Sequence, residues 1–277
     1  MPTLFTFQMR AYAAAHFPFG ETLRIDWDDA TGFLQSEYTG GEDGRAYPVT
    51  LYGDVRGEAE SLDDAQARFS ASIGNYLPLI AVAANAAIAD PLPVATHGLD
   101  LSEPRPFLAY RTPLASDWFP PGKRLVSPGD VAAFFDAVQA HPHGDILHRA
   151  CEAYSRALAS LVPEQRLLSA EFAFIATESL SRCLARTDLD ASGESFESVG
   201  HRRLNDMLLA IRRDRIFDGD AEAISALEKA SHGFEHGHIS VPEVRGLADP
   251  VLERALSLVR AALIDASGLQ DPARATL

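Results

Sequence analysis

The stretch Ser116-Asp-Trp-Phe-Pro120-Pro121-Gly122-Lys-Arg-Leu-Val-Ser-Pro128 divides the chain into two regions of different texture. Proline fixes φ and removes a backbone donor, so prolines this closely spaced, with a glycine beside them, interrupt helix and sheet alike. Residues 116–128 therefore read as a linker. Before it, in residues 1–115, short runs of alternating polarity recur at 4–9, 23–27, 33–38 and 48–55. That is the period of half-buried strands. Gly40-Gly41-Glu42-Asp43-Gly44 is a turn signal between two of these runs and predicts a hairpin. A further strand is expected at 107–111.

One helix interrupts the strands. It is expected over 61–89. Ser61 can cap the first free N–H groups, Asp64 can reach back to the Ser61 N–H, and Asp63 and Asp64 suit the positive end of the helix dipole. Pro78 falls inside it, and residues 79–88 are apolar on nearly every side, which predicts a buried segment with Asn85 as a satisfied core amide. After the linker the period changes to that of helices throughout 129–277. Ile146, Leu147, Ala150, Cys151, Tyr154 and Leu158 recur at helical spacing, as do Leu168, Phe172, Ile175, Ser179 and Cys183, and Leu252, Leu256, Val259 and Leu263. Residues 187–198 read as a polar loop. The expected fold is α+β: an N-terminal antiparallel sheet with one long helix, then an all-α bundle.

Bulk properties limit the partners. The net charge is −15 in 277 residues, so the chain as a whole repels polyphosphates, and DNA is not an expected partner. No apolar run reaches the length of a membrane span, and no leader segment is recognisable, so neither insertion in a membrane nor secretion is expected. Cys151 and Cys183, the two cysteines, read as small buried hydrophobes, in keeping with a cytoplasmic location.

Chemistry concentrates in Lys229-Ala-Ser-His232-Gly-Phe-Glu235-His236-Gly-His238, which holds three of the nine histidines. His232-Gly-Phe-Glu235-His236 spells His-x-x-Glu-His. On a helix the two imidazoles share a face and could hold zinc, with Glu235 as general base. Gly233 and Gly237 oppose helix there, and the short remaining chain offers only Glu243 and Glu253 as a third protein ligand. A structural alternative is that the imidazoles bond the free carbonyls of a helix end. His141-x-His143 with His148 is a further weak metal pattern in an interhelical turn. A basic concentration lies at His201-Arg202-Arg203 and Arg212-Arg213-Asp214-Arg215. Arg202, Arg212, Arg213 and Arg215 could form a nucleic-acid-facing edge, or pair internally with the surplus of acids.

A His-ending motif at the close of the penultimate long helix of a bundle resembles the HEPN superfamily over about residues 130–268. The family motif is Arg, four to six residues, then His. Here the match is Lys229-x6-His236, with Lys for Arg, and Ala173-Phe-Ile-Ala-Thr-Glu178-Ser-Leu180 resembles the family's Glu-x-Leu segment. The resemblance implies a metal-independent endoribonuclease acting across a two-fold dimer, with His236 moving the proton, Glu178 nearby, and Lys229 or an arginine such as Arg212 supplying positive charge. Lysine lacks the planar fork that grips phosphate. The resemblance therefore equally implies a non-catalytic dimerising module. Three expectations follow: a regulatory or defence-type binding protein whose bundle forms a homodimer and which takes a protein partner or RNA, with no cofactor; the endoribonuclease; and a zinc hydrolase on His232, His236 and Glu235.

Overall fold

The computed structural model describes residues 3–27, 30–40, 44–99, 107–110, 124–238 and 240–269. The chain divides into two compact units between Ala132 and Ala133. Residues 116–123 of the expected linker lie outside the described residues, as does the turn 41–43, and the rest of it leads from a short strand at Arg124–Leu125 into a helix that begins at Pro128.

In the first unit, strands β1 (Thr3–Tyr12), β3 (Thr22–Trp27), β4 (Ala30–Gly40), β5 (Ala46–Ala59), β6 (Leu92–Leu99) and β7 (Phe107–Tyr110) form a six-stranded sheet in the order β3-β4-β5-β1-β6-β7. Every neighbouring pair in it is antiparallel. The β4–β5 hairpin closes with Gly40 opposite Ala46. A two-residue pair, β2 (Ala15–His16) with β8 (Arg124–Leu125), is parallel. Strand β6 carries no alternation and holds Pro93, so its sequence does not announce it. The register slips between Gln8 and Met9 so that Met9 faces Pro93, a bulge that accommodates a residue without an N–H to donate.

Helix α1 (Leu62–Ala84) lies across β1, β5 and β6. Asp64 N–H donates to Ser61 Oγ at 3.2 Å, and Glu60 N–H donates to Asp64 Oδ2 at 3.0 Å. Phe69 and Ile73 of the helix and Phe7, Met9 and Val55 of the sheet are buried, and Tyr76 through Ala84 are all buried. The expected end at Ala89 is corrected. Asn85 takes a left-handed φ of 48° and its N–H closes onto Ala81 and Val82 carbonyls, so the helix stops at Ala84. The chain then pairs with the end of β1, through Ala89 N–H to Tyr12 O at 2.8 Å and Ala14 N–H to Ala87 O at 2.8 Å. Asn85 is a helix cap, not a core amide.

The side chains that alternate away from α1 make a polar network. Arg10 grips Glu37 through two bonds of 2.7 Å, and Thr50 Oγ1 donates to the same carboxylate at 2.5 Å. Burial raises the Glu37 pKa, but these bonds outweigh it and hold the carboxyl below its ordinary range. Asp54 accepts from Gln8 Nε2 at 3.1 Å and from Tyr52 O–H at 3.4 Å, and pairs with Arg56 at 3.5 Å.

The second unit is a bundle. After α2 (Pro128–Ala140), which crosses the division, come α3 (Gly144–Ala159), α4 (Arg166–Ala191), α5 (His201–Ile211), α6 (Ala221–Glu235), α7 (Val241–Ala248) and α8 (Leu252–Ala266). Helix α4 is the hub, in contact with α3, α5, α6, α7 and α8. It continues into the first part of the expected loop, to Ala191. The expected stripe divides: Ser179 and Cys183 are buried in the core and Phe172 is half-buried, whereas Leu168 is 42% and Ile175 36% exposed. Ala173, Ala176, Leu180 and Leu184 are buried instead, because small residues let several helices approach one axis closely. Ser169 sits in this core with its hydroxyl donating to Ala157 O at 2.7 Å.

Candidate functional site

Helix α6 ends by a main-chain device. Gly237 has φ 61°, the His238 N–H reaches Gly233 O at 3.1 Å and the His236 N–H reaches His232 O at 3.1 Å. The 6→1 bond is that of a Schellman cap, and glycine is the residue that takes its left-handed position without strain. Backbone N–H groups therefore take the carbonyls of His232 and Gly233. The reversal lays the three rings in a row: His232 to His236 is 6.0 Å between centroids and His236 to His238 is 5.6 Å. All three are exposed, as is Lys229. His232 also meets the edge of Phe174 on α4 at 6.4 Å.

Among the described residues no three His, Cys, Asp or Glu side chains are grouped to hold a metal ion. The side chain of Glu235 lies outside that description.

Glu178 pairs with Arg212. It belongs to a different cluster, built around Arg212. After α5 the chain widens into a single π turn over Arg212–Ile216, in which Phe217 N–H bonds Arg212 O at 3.0 Å. Such turns insert an extra residue and re-aim side chains. Here the turn carries Arg212 inward, leaving its side chain 11% exposed, while Arg213 and Arg215 remain outside. Arg212 Nη2 donates to Glu178 Oε1 at 3.3 Å, Nη1 to Glu228 Oε1 at 3.4 Å, and Nε to Ser181 Oγ at 3.4 Å. The guanidinium lies 5.6 Å from the centre of the Phe174 ring. Thus α4, the π turn and α6 bring one arginine, two carboxylates and, across Phe174, His232 into one neighbourhood.

The remaining arginines of the basic run face their own acids. Arg213 is bidentate with Asp214 at 2.6 and 2.7 Å, Arg215 pairs with Asp188 at 2.9 Å, and Arg203 pairs with Glu194 at 2.6 Å. Arg202 stands exposed on the first turn of α5. The structure brings Arg212 to Glu178, holds Arg213 and Arg215 against Asp214 and Asp188, and leaves Arg202 on the surface.

A second group sits where the α2–α3 turn meets α4. His143 Nε2 lies 2.8 Å from Asp190 Oδ2. His141 Nδ1 accepts from His143 N–H at 3.0 Å and faces Cys183 Sγ at 3.9 Å. Burial and the neighbouring His143 lower the His141 pKa. Burial and Asp145 push the Cys183 thiol up to about 11, so it is not a thiolate nucleophile near neutral pH. The sequence pattern His141-x-His143 pointed to this turn; its partners Cys183 and Asp190 lie a helix away and give no local signal.

Comparison of the chain with protein-family models, curated proteins and solved structures finds no match. Among the described residues no helix is long and apolar enough to cross a membrane.

Proposed function

We propose that the chain is a cytoplasmic, non-catalytic binding protein of regulatory or defence type, whose helical unit associates with a second copy and whose N-terminal unit engages a partner. The observation that carries this reading is the neutralisation of Arg212. The cation beside the candidate acid Glu178 is already held by two carboxylates, and the outward arginines Arg213 and Arg215 are paired with Asp214 and Asp188. A phosphate would have to displace these acids from an acidic chain. His236 and Lys229 stand exposed, and among the described residues neither Glu178 nor Arg212 is bonded to them.

The second reading, a HEPN-like endoribonuclease, is favoured by the gathering of Arg212, Glu178 and His232 around Phe174. Both are tested together. Wild-type chain and the His236→Ala chain are incubated with structured RNA in the presence of a chelator. The expected result is no cleavage by either. Cleavage by the wild type that disappears in His236→Ala overturns the non-catalytic reading and establishes the nuclease.

A further inference from the structure

A cleft of about 350 Å³ opens between α6 and the wall formed by α5 with its π turn. That volume lies within the range of small-molecule sites, roughly 300–1,000 Å³. Asp206, Leu209, Ala210 and Arg213 line one wall, and Ile224 and Glu228 the other. The spacing on the first wall is i, i+3, i+4 and i+7, a single helix face. The core face of α5 is carried by Leu208 and Ile211, so the neighbouring Leu209 is left 52% exposed in the cleft. With Ala210 and Ile224 it makes an apolar floor.

The charges on the rim are not balanced. Arg213 is bidentate with Asp214, so its charge is already answered. Glu228 meets Arg212 through Oε1 alone, and its Oε2 accepts no hydrogen bond among the described residues. Asp206 is exposed and has neither a hydrogen bond nor an ion pair among the described residues, although Asp188, Asp190, Asp214, Asp220 and Asp249 all have one. Each of these two acids is the lining residue of its wall furthest from the turn that joins α5 to α6. The cleft is thus apolar along its length and carries uncompensated negative charge at its far end.

We propose that this cleft is a binding site for a small amphipathic cation. The apolar body lies on Leu209, Ala210 and Ile224, and one ammonium or amidinium group meets Asp206 and the free oxygen of Glu228. An anion is repelled here, and a neutral apolar ligand would desolvate Asp206 without giving it a partner. A small hydrated cation would leave the apolar floor unused. The assignment is independent of dimerisation by the helical unit.

The test is equilibrium dialysis of the full chain, at neutral pH and low salt, against 4-phenylbutylamine, 4-phenylbutanol and 4-phenylbutyrate. These share one apolar body and differ in charge. The amine is expected to bind saturably with a Kd on the order of 1 mM or tighter. The alcohol is expected to bind about fivefold more weakly and the carboxylate more weakly still. Asp206→Asn brings the amine to the level of the alcohol and leaves the alcohol unchanged. Leu209→Ser weakens amine and alcohol alike. Both positions are exposed, and circular dichroism checks that both variants keep the helical spectrum. Equal binding of amine and alcohol by the wild type, amine binding that survives Asp206→Asn, or no saturable amine binding at millimolar concentration overturns the site. Amine binding that Asp206→Asn abolishes and Leu209→Ser leaves unchanged is a surface ion pair only, and overturns it as well.

Discussion

Arg212 and Glu178, on elements separated by the whole of α5, are joined at 3.3 Å over the face of Phe174. The arginine is nearly enclosed, and removing it leaves Glu178 and Glu228 without a shared cation. Arg212→Met is expected to lower stability by about 1–3 kcal/mol. The double change Arg212→Met, Glu178→Gln is expected to recover part of that loss, because one uncompensated charge is gone. Urea midpoints of the two chains and wild type check this; equal midpoints for all three would show that the pair contributes nothing.

The turn at His141 is expected to make the helical unit sensitive to mild acid. In the folded chain the pKa of His141 is held below its ordinary value of 6.5, by burial first and by His143 second. The unfolded chain therefore takes up a proton at a pH where the folded chain does not. The contribution is complete above the ordinary value and is lost as pH falls from there through the lower folded value. His143, Asp145, Cys183 and Asp190 face the same turn. His141→Asn, which keeps an acceptor near the Nδ1 position but does not titrate, is expected to flatten the fall in urea midpoint between neutral and mildly acidic buffer. An equally steep fall in that variant would assign it to another group.

Gly144 opens α3 against the carbonyl of Val138, where a Cβ atom would collide with backbone. Gly144→Ala is expected to cost about 1–3 kcal/mol by forcing the α2–α3 turn away from its place. Thermal or urea denaturation reads this directly. Gly74→Ala on α1, where a Cβ meets nothing within 4 Å, is the matched control and is expected to be neutral or slightly stabilising.

In the sheet, Tyr52 is expected to resist alkaline ionisation. Burial first, then the adjacent Asp54 carboxylate, push its phenol up to about 12. Asp54→Asn removes the charge and is expected to bring the transition back toward the ordinary value of 10, seen as an earlier phenolate absorbance change in an alkaline titration. A transition that does not move would place the whole effect in burial.

The α+β division, the hairpin at Gly40 and the cap at Ser61 were readable because each depends on residues close in sequence. What was not readable depends on distant partners. The end of α1 turns on Asn85, whose left-handed conformation competes with the helical pattern of its alanine neighbours. Strand β6 forms because β1 offers an edge that a Pro93-containing segment can join through a bulge. Helix α7 carried a signal that passed unread: Ser240-Val-Pro-Glu243 is a capping box, and Ser240 N–H donates to Glu243 Oε2 at 2.8 Å. On α4 the stripe faces the core at Ser179 and Cys183 and solvent at Leu168 and Ile175, since spacing reveals a stripe without saying where along the helix its neighbours lie. At the site, the histidine run was visible in sequence, whereas the Arg212 cluster needed a π turn that no local pattern declares.

That π turn also fixes a length. An α-helix advances about 100° per residue, so a turn holding one residue more than its neighbours offsets everything after it by that angle. Deleting a single residue between Arg212 and Ile216 would let α5 run on as regular helix and would rotate the chain that leads into α6. Arg212, Glu228 and the histidine row could not then all keep their bearings. A substitution in this segment can be absorbed one side chain at a time, but a deletion is felt at once by every group on α6, so its length is under tighter constraint than its composition.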